Sequence, residues 1–444
     1  MNAGIIRTPG RGSPKLTDTQ RVIRSYLLIT GLFTLSASVI WGVNTLFLLG
    51  AGLDIFEVFL ANAAFTASMV VFEVPTGVVA DTVGRRASFL LSEAVLLVGT
   101  LAYVGAAELG GGVGWFAATG VILGLGYTFY SGAVEAWVVD ALRATGHHGD
   151  LDRVFARGSM VAGAAMLVGT VGGGLVGTLD LSAPYLVRSA LVAAAFVVGF
   201  VRMHEVGFTP RPLRWGRVAG EMAAVGRAGV TYGWGRPSVR LLIMVSFVQW
   251  GFFAWAWYAW QPYFLDLLGR NLVWVSGLIA ALFALASITG NALVGRVARP
   301  GRRRTTILLA MASIFTVAAV GVGTIRVFWI AVPLFLVGAV VMGVQGPIKQ
   351  AYLHQVIPSP QRATIVSFQS MIAGVGSSGG EAGLGYLSRV RSIGDGFLIG
   401  GLSTALVLPL LLRLRHLHEP ADVVSEEVST GATAAQVHEP AAVE

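Results

Sequence analysis

The chain has 444 residues, of which 55% are hydrophobic and only 12% are charged. A soluble domain carries about 25% charged residues, so the composition excludes an ordinary water-soluble fold. The lack of cysteine excludes disulfides and cysteine-ligated metals, and the net charge of +8 does not indicate nucleic-acid binding, because the arginines lie at the ends of apolar runs.

Twelve long apolar runs follow one another along the chain, six on each side of a polar stretch. Each run can cross a hydrocarbon core of about 30 Å as a helix, and none shows the period-two alternation of a membrane strand. Because only helices and closed barrels satisfy the backbone in lipid, the sequence predicts an all-α membrane protein with twelve transmembrane helices, numbered here as spans 1–12. The runs lie near 25–50, 55–80, 87–107, 115–142, 154–179, 183–203, 238–267, 272–296, 304–325, 327–355, 364–388 and 395–415.

The runs divide the chain into five predicted segments. These are a cytoplasmic N-terminal tail at 1–23, a six-helix bundle at 24–203, a cytoplasmic central loop at 204–237, a second six-helix bundle at 238–415, and a disordered cytoplasmic tail at 416–444. Charged and apolar residues are interleaved within the central loop from Leu213 to Val230. That stretch fits either a short helix on the membrane surface or an unstructured basic linker.

The placement of Lys and Arg predicts the orientation of the chain in the membrane. If the N-terminus is cytoplasmic, almost all basic residues flank the cytoplasmic ends of the spans. The outer side then carries only Arg270, Arg326, Arg389 and Arg391. We therefore expect both termini in the cytoplasm. The bias toward Arg, Ala and Gly is typical of bacterial sequences, so we expect a bacterial plasma membrane.

A short basic stop separates spans 2 and 3. Here the sequence reads Glu73-Val-Pro-Thr-Gly-Val-Val-Ala-Asp-Thr-Val-Gly-Arg-Arg86, and the next apolar run begins at once. This pattern resembles the signature loop between the second and third helices of the major facilitator superfamily. The resemblance implies a latch that joins the two halves on the cytoplasmic side. The residues assigned to this cytoplasmic gate are Gly77, Asp81, Gly84, Arg85 and Arg86, and we expect Glu73 and Asp140 to join them.

The resemblance covers about residues 24–415 and also rests on the twelve runs and the long central loop. It implies two six-helix bundles related by pseudo-two-fold symmetry, which expose a central site alternately to each side of the membrane. The matching loop in the second half, Gly295 to Arg304, keeps the glycine and arginines but has no aspartate. In span 5, Gly169 to Gly174 is similar to the antiporter signature of the family, with Thr170 at the place of its proline.

Two intramembrane charges occupy matching positions in the halves, Glu135 in span 4 and Lys349 in span 10. The helical spacing places Thr128, Ser131 and Glu135 on one face of span 4. It likewise places Gln345, Lys349 and Tyr352 on one face of span 10. A charge inside a membrane helix is costly, so it indicates function by default. We expect both faces to line a central cavity, where Glu135 binds a proton or a cationic substrate. The alternative is a structural ion pair between Glu135 and Lys349.

Other acidic groups also lie inside predicted spans. Glu381 lies in the outer half of span 11, with no opposite charge evident nearby, and is a second candidate for proton or substrate binding. Glu73 and Glu93 lie within about two turns of the basic loops, so we expect them to bond to arginines of the gate.

Span 7 is dense in aromatic residues and also carries Gln249. Trp257 and its neighbours could face lipid or the outer interface, where Trp and Tyr concentrate. They could equally bind a planar or cationic ligand by stacking and cation–π contact. Gln249 and Trp257 are therefore included among the candidate substrate-binding residues.

The resemblance implies a secondary transporter and not an enzyme. Because the sequence has no ATP-binding loop, uphill transport must draw on an ion gradient. Glu135, the glycine motif of span 5 and the aromatic span 7 favour a proton as the coupling ion, and we expect no cofactor or metal. The favoured function is proton-coupled efflux of amphipathic small molecules by a monomer in the lipid bilayer. The alternative is an uptake symporter or facilitator for a polar or anionic solute, with Lys349 recognising the charge.

Overall fold

The computed structural model describes residues 18–146, 150–206, 229–357 and 362–424, together with the single residues 208, 220, 223, 226 and 227. These residues form helices and short connections, with no β-strand among them. The predicted N-terminal tail, most of the predicted surface segment 213–230, and residues 425–444 of the predicted C-terminal tail lie outside the described residues.

Within the described residues of the first half there are eight α-helices. They are α1 (Asp18–Ser38), α2 (Asn44–Gly50), α3 (Ile55–Thr82), α4 (Arg85–Glu108), α5 (Val113–Tyr130), α6 (Ala133–Ala144), α7 (Leu151–Val176) and α8 (Ala183–Arg202). Span 1 consists of α1 and α2, and span 4 consists of α5 and α6.

In the second half, the described residues form a short π-helix, Gly229–Trp234, followed by seven α-helices. They are α9 (Pro237–Leu268), α10 (Val273–Val297), α11 (Arg304–Thr324), α12 (Phe328–Val356), α13 (Arg362–Val390), α14 (Ile393–Thr404) and α15 (Val407–His416). Span 12 consists of α14 and α15. Among the described residues, ten helices are long and apolar enough to cross a membrane. The remaining two spans are α1 with α2, and the more polar α13, so the twelve-span all-helical fold is confirmed.

The connections lie alternately at two ends of the bundle. We call the end with the gate loop 83–84 and the segment 203–236 the basic end, and the end with the connections 51–54, 177–182 and 391–392 the far end. At the far end, α3 begins with a capping box. The Asp54 side chain accepts a hydrogen bond from the Glu57 backbone at 2.9 Å, and the Glu57 carboxylate accepts one from the Asp54 backbone at 2.9 Å.

At the basic end, each half uses an acidic residue from beyond its last span to cap a helix. In the first half, Glu205 accepts hydrogen bonds of 3.0 Å from the backbone N–H groups of Arg85 and Arg86 at the start of α4. In the second half, Asp422 accepts bonds from the backbone N–H of Thr305 at 2.7 Å and from its hydroxyl at 2.9 Å, at the start of α11. Carboxylates are favourable there because they satisfy free N–H groups and oppose the helix dipole.

The C-terminal segment is ordered further than the sequence predicts. A short 3-10 turn, Pro420–Asp422, brings the chain back to the loop before α11. The backbone N–H of Gly301 donates to the Val424 carbonyl at 3.0 Å, and the N–H of Val424 donates to the Arg302 carbonyl at 3.0 Å. This pairing holds residues 417–424 of the predicted disordered tail against the second half.

The two halves meet along two helix pairs, α3 with α13 and α7 with α10. Glycine allows the backbones to approach closely at the second pair. A Cβ atom added to Gly174 of α7 would lie only 2.7 Å from the Cα atom of Gly277 in α10, and one added to Gly42 would lie 3.0 Å from the same atom. Small residues are common where membrane helices pack closely.

The halves are also joined at the far end. The backbone N–H of Thr45 donates to the Gln261 side-chain oxygen at 2.9 Å, and the Gln261 amide nitrogen donates to the Trp41 carbonyl at 2.9 Å. Arg389 forms an ion pair of 3.4 Å with Asp54. These interactions close the space between the halves at the far end.

Span 4 is interrupted near the basic end. Helix α5 ends at Tyr130, and α6 begins at Ala133 after Gly132, which has a φ of +70°. The prediction that Thr128, Ser131 and Glu135 share one face of a continuous helix is therefore wrong. Thr128 is buried instead, and its carbonyl accepts a hydrogen bond from the Thr76 hydroxyl at 3.1 Å.

Replacing Gly174 by alanine should destabilise the contact between α7 and α10. The added methyl group would overlap the Gly277 backbone, and overpacking of this kind costs about 1–3 kcal/mol. Gly172→Ala is the matched control, because a Cβ atom there meets nothing within 4 Å. Thermal unfolding of the purified chain should show a lower midpoint for Gly174→Ala only. Equal midpoints for the two variants would contradict the close approach at Gly174.

Replacing Gly132 by alanine should also destabilise the chain, here through its positive φ. A left-handed conformation costs a non-glycine residue about 1–2 kcal/mol, and asparagine tolerates it better than alanine. The thermal unfolding midpoint should therefore fall for Gly132→Ala and less for Gly132→Asn. The control is Gly346→Ala at the matching position of α12, where φ is not positive and the space is open. A midpoint for Gly132→Ala no lower than that of Gly346→Ala would argue against the interruption.

Candidate functional site

A cavity of about 910 Å³ lies between the two halves. Typical sites for small molecules enclose about 300–1,000 Å³, so this cavity can hold a drug-sized molecule. Spans 1, 2, 3, 4, 6, 7 and 11 line it. Its wall is rich in aromatic side chains, and both halves contribute them. They include Trp41, Phe65, Tyr127, Trp250, Phe253 and Trp257.

The cavity is closed toward the far end and open toward the basic end. The far end is closed by the hydrogen bonds of Gln261 and the Asp54–Arg389 pair. Glu73 and Ser131, which line the cavity on the side of the basic end, are both exposed. A solute could therefore enter this conformation from the basic end.

Glu381 is the buried acid of the cavity. The residue is only 1% exposed. The Thr66 hydroxyl, on α3 of the first half, donates to its Oε1 at 3.2 Å. Its Oε2 has no hydrogen-bond partner, and no ion pair among the described residues includes Glu381. The carboxyl group thus joins the two halves through one hydrogen bond and has a second oxygen available.

Glu73 also belongs to the cavity, although the sequence assigns it to the gate. The Ser131 hydroxyl donates to Glu73 Oε1 at 2.9 Å, and both residues line the cavity. Glu73 lies nine residues before the end of α3 at Thr82, which is about 13 Å along a helix. That distance explains why Glu73 lies beside Ser131 rather than beside the gate arginines.

Three candidates of the second half form a hydrogen-bonded chain. Lys349 Nζ donates to Gln249 Oε1 at 3.1 Å, and Gln249 Nε2 donates to Gln345 Oε1 at 3.2 Å. This chain joins α12 to α9. None of the three residues is among those that line the cavity. Their hydrogen bonds therefore support the packing of the second half.

Glu135 lies apart from these groups. It is exposed on α6 and is not among the cavity-lining residues. No ion pair joins it to Lys349 in the described part of the chain. The structure therefore separates the two charges that the sequence places at matching positions.

The gate residues interact within the first half. Arg85 forms an ion pair of 2.6 Å with Asp81, and Arg86 donates to the Phe200 carbonyl at 2.8 Å. Gly84 has a φ of +127°, which favours glycine.

The remaining gate residues are Gly77 and Asp140. A Cβ atom on Gly77 would meet nothing within 4 Å, and Asp140 is half-buried on α6. In this conformation, no described gate residue forms an ion pair with the second half.

Two buried charges were not singled out as site residues from the sequence. Arg188 on α8 is 2% exposed and lines the cavity, with its guanidinium 5.5 Å from the centre of the Tyr127 ring. Glu93 on α4 is 0% exposed, and neither carboxylate oxygen has a hydrogen-bond partner. Glu93 therefore does not bond to the gate arginines. The sequence could have indicated Arg188 as a candidate site residue, because it lies inside an apolar run, far from either basic loop.

The cavity also contains a short polar network near the far end. The Tyr185 hydroxyl donates to Asn44 Oδ1 at 2.7 Å, and Asn44 Nδ2 donates to Asn62 Oδ1 at 3.1 Å. All three residues line the cavity. Among the described residues, no group of three His, Asp or Glu side chains could hold a metal ion.

Comparison with known proteins identifies the fold. The family model of the Major Facilitator Superfamily matches residues 26–381. Among solved structures, the chain is similar to a point mutant of the nucleoside transporter NupG, with a TM-score of 0.75 and 11% identity, over 89% of this chain and 99% of that chain. It is also similar to the human organic anion transporter MFSD10, with a TM-score of 0.62 and 17% identity, over 88% of this chain and 99% of that chain.

A third similar structure is a POT family transporter in complex with 5-aminolevulinic acid, with a TM-score of 0.67 and 13% identity, over 90% of this chain and 97% of that chain. None of the curated proteins compared with the chain matches it. At these identities the structural likeness shows the fold alone. Because the family model spans most of the chain, the chain belongs to the major facilitator superfamily and is a multi-pass membrane transporter of small-molecule substrates.

Proposed function

We propose that the chain exports amphipathic small molecules in exchange for protons, with the aromatic cavity as the substrate site. The observation that carries this proposal is a largely apolar cavity of about 910 Å³ that contains one deeply buried carboxyl group, Glu381. An aromatic wall suits the apolar part of a substrate by burial and stacking. A polar network and a carboxyl group suit its polar part.

Glu381 is the proposed proton carrier. Burying an unpaired carboxylate costs far more than burying a protonated carboxyl group, so a carboxyl in such a place changes its charge when its surroundings change. The hydrogen bond from Thr66 crosses from the first half to the second. Loss or gain of a proton on Glu381 therefore acts directly on the contact between α3 and α13, which must rearrange as the halves rock.

The orientation predicted from the basic residues makes the basic end cytoplasmic. The open cavity would then face the cytoplasm, and the closed far end would face outward. An exporter loads its substrate in this conformation. Rocking of the two halves about the helix pairs at which they meet, α3 with α13 and α7 with α10, would close the basic end and open the far end.

The alternative is an uptake symporter or a facilitator for a polar or anionic solute. In that alternative, Lys349 would recognise the charge of the solute. The hydrogen bond from Lys349 to Gln249, outside the cavity lining, provides less support for it. The similar solved structures are a nucleoside transporter, an organic anion transporter and a POT family transporter with 5-aminolevulinic acid. Their sequence identities to this chain are too low to favour one substrate class here.

Replacing Glu381 by glutamine should abolish proton coupling, because the amide cannot carry the proton. We would reconstitute the purified chain into vesicles that contain the pH dye pyranine and have an acidic interior. The external compounds would be dansylglycine, dansylamide and dansylethylenediamine, which share one aromatic body. At least one compound should accumulate inside while protons leave. In Glu381→Gln, accumulation should fall to the level of protein-free vesicles.

Glu135→Gln is the matched control, because Glu135 is exposed and lies outside the cavity lining. Coupling should survive in this variant. Coupling that survives in Glu381→Gln but is lost in Glu135→Gln would move the proton site to Glu135. Transport that ignores the pH gradient, or that moves compound and protons in the same direction, would favour the alternative. Transport of none of the compounds above the protein-free level would contradict the proposal.

A further inference from the structure

We propose that Arg188 binds an acidic group of the transported molecule, so that the substrates are aromatic compounds that carry a carboxylate or a similar oxyanion. This inference deepens the proposed function and rests on it. The carrying observation is a buried guanidinium in the cavity wall whose hydrogen-bonding capacity the protein leaves unused.

Arg188 is almost completely enclosed yet poorly satisfied. It is 2% exposed and lines the cavity. Its Nε has no hydrogen-bond partner, and no ion pair among the described residues includes it. A guanidinium has five N–H donors and no acceptor. Burying such a charge without acceptors is strongly unfavourable, so a bound anion would supply the acceptors that the surrounding side chains do not.

The surroundings of Arg188 hold the guanidinium in place without supplying an anion to bond to it. The Tyr127 ring lies 5.5 Å from the guanidinium and offers a cation–π contact. Tyr103 and Tyr185 line the same cavity. A planar fork packed against aromatic rings is well suited to bind a carboxylate through two parallel hydrogen bonds.

Glu93 is the competing explanation, because it is the acidic side chain that interacts electrostatically with Arg188. The two groups do not form an ion pair within 4 Å. Both Glu93 oxygens lack hydrogen-bond partners, as does Arg188 Nε. Glu93 therefore does not occupy the guanidinium donors, which remain available to a ligand. It also lies behind the wall, since it is not among the residues that line the cavity.

The rest of the cavity fits the body of such a substrate. Trp41 of the first half and Trp257 of the second are in edge-to-face contact, with their ring centres 5.8 Å apart. The ring centres of Phe253 and Trp257 are 5.9 Å apart. These rings provide a surface for an aromatic body. Arg188 belongs to the first half and Glu381 to the second, so different halves would hold the acidic group and the proton.

The test is equilibrium binding to the purified full-length chain in nanodiscs, measured by energy transfer from tryptophan to dansyl. Three tryptophans line the cavity and serve as donors, Trp41, Trp250 and Trp257. Dansylglycine carries a carboxylate, dansylamide is neutral and dansylethylenediamine is cationic. The wild type should bind dansylglycine most tightly. Arg188→Gln should weaken dansylglycine binding at least about tenfold, the effect of losing hydrogen bonds to a charged group, and leave dansylamide binding nearly unchanged.

Two further variants separate anion binding from a structural role. Arg188→Lys keeps the charge but loses the planar fork, so its affinity for dansylglycine should lie between those of the wild type and Arg188→Gln. In the double variant Arg188→Gln with Glu93→Gln, both buried ionisable groups are removed. If Arg188 only balances Glu93, the double variant should regain the wild-type preference for dansylglycine. We expect the preference to stay lost, and dansylamide binding to report that each variant is folded.

Different results would overturn the two proposals separately. Equal binding of all three compounds by the wild type, or a preference for dansylglycine that survives in Arg188→Gln, would contradict the role of Arg188 and leave the exporter proposal standing. Recovery of the preference in the double variant would assign Arg188 a structural role. Failure of the wild type to bind any of the compounds would contradict the proposed aromatic substrate site itself, and with it this inference.

Discussion

The two halves contact each other along two helix pairs, which we call seams, and the rest of the molecule depends on how closely the helices of each seam approach. Gly174 and Gly277 bring α7 and α10 almost into backbone contact, while α3 and α13 form the opposite seam. Because the seams lie on two sides, a cavity is left between them. Hydrogen bonds around Gln261 then close one end of that space. Lipid offers little hydrophobic driving force between helices, so such close packing must supply much of the association.

Apart from Glu93, which is buried behind the cavity wall without hydrogen-bond partners, the described charges outside the cavity are better satisfied than those that line it. Lys349 bonds to Gln249, and Asp422 accepts two hydrogen bonds from Thr305. These groups have the partners expected of charges that stabilise a fold. Glu381 and Arg188 have fewer partners than they can accommodate. A protein can keep such groups buried only if the surrounding structure is stable enough to offset their cost, which makes incomplete pairing the best indication of a site.

The sequence predicted the helices well but predicted the environment of each side chain less well. Apolar length and the position of arginines determine where spans begin and end, and the gate motif identified the loop before α4. Gly132 could not be recognised as a break, because a glycine inside an apolar run is compatible with a continuous helix. Glu73 lies close to the gate along the chain, but the rise of the helix carries it into the cavity. The partner of Thr305 is Asp422, more than one hundred residues away, and no local pattern reveals such a contact.

The internal repeat explains both the success and the limits of comparing the halves. The framework is repeated, since Glu205 and Asp422 each follow the last span of a half and cap the helix after a basic loop. The interior is not repeated. Glu135 and Lys349 occupy matching positions, yet one is exposed and the other is bonded to Gln249. A repeated framework allows the halves to rock as similar bodies, whereas recognition of an asymmetric solute requires that they differ. The charges of the cavity follow that division, with Arg188 on the first half and Glu381 on the second.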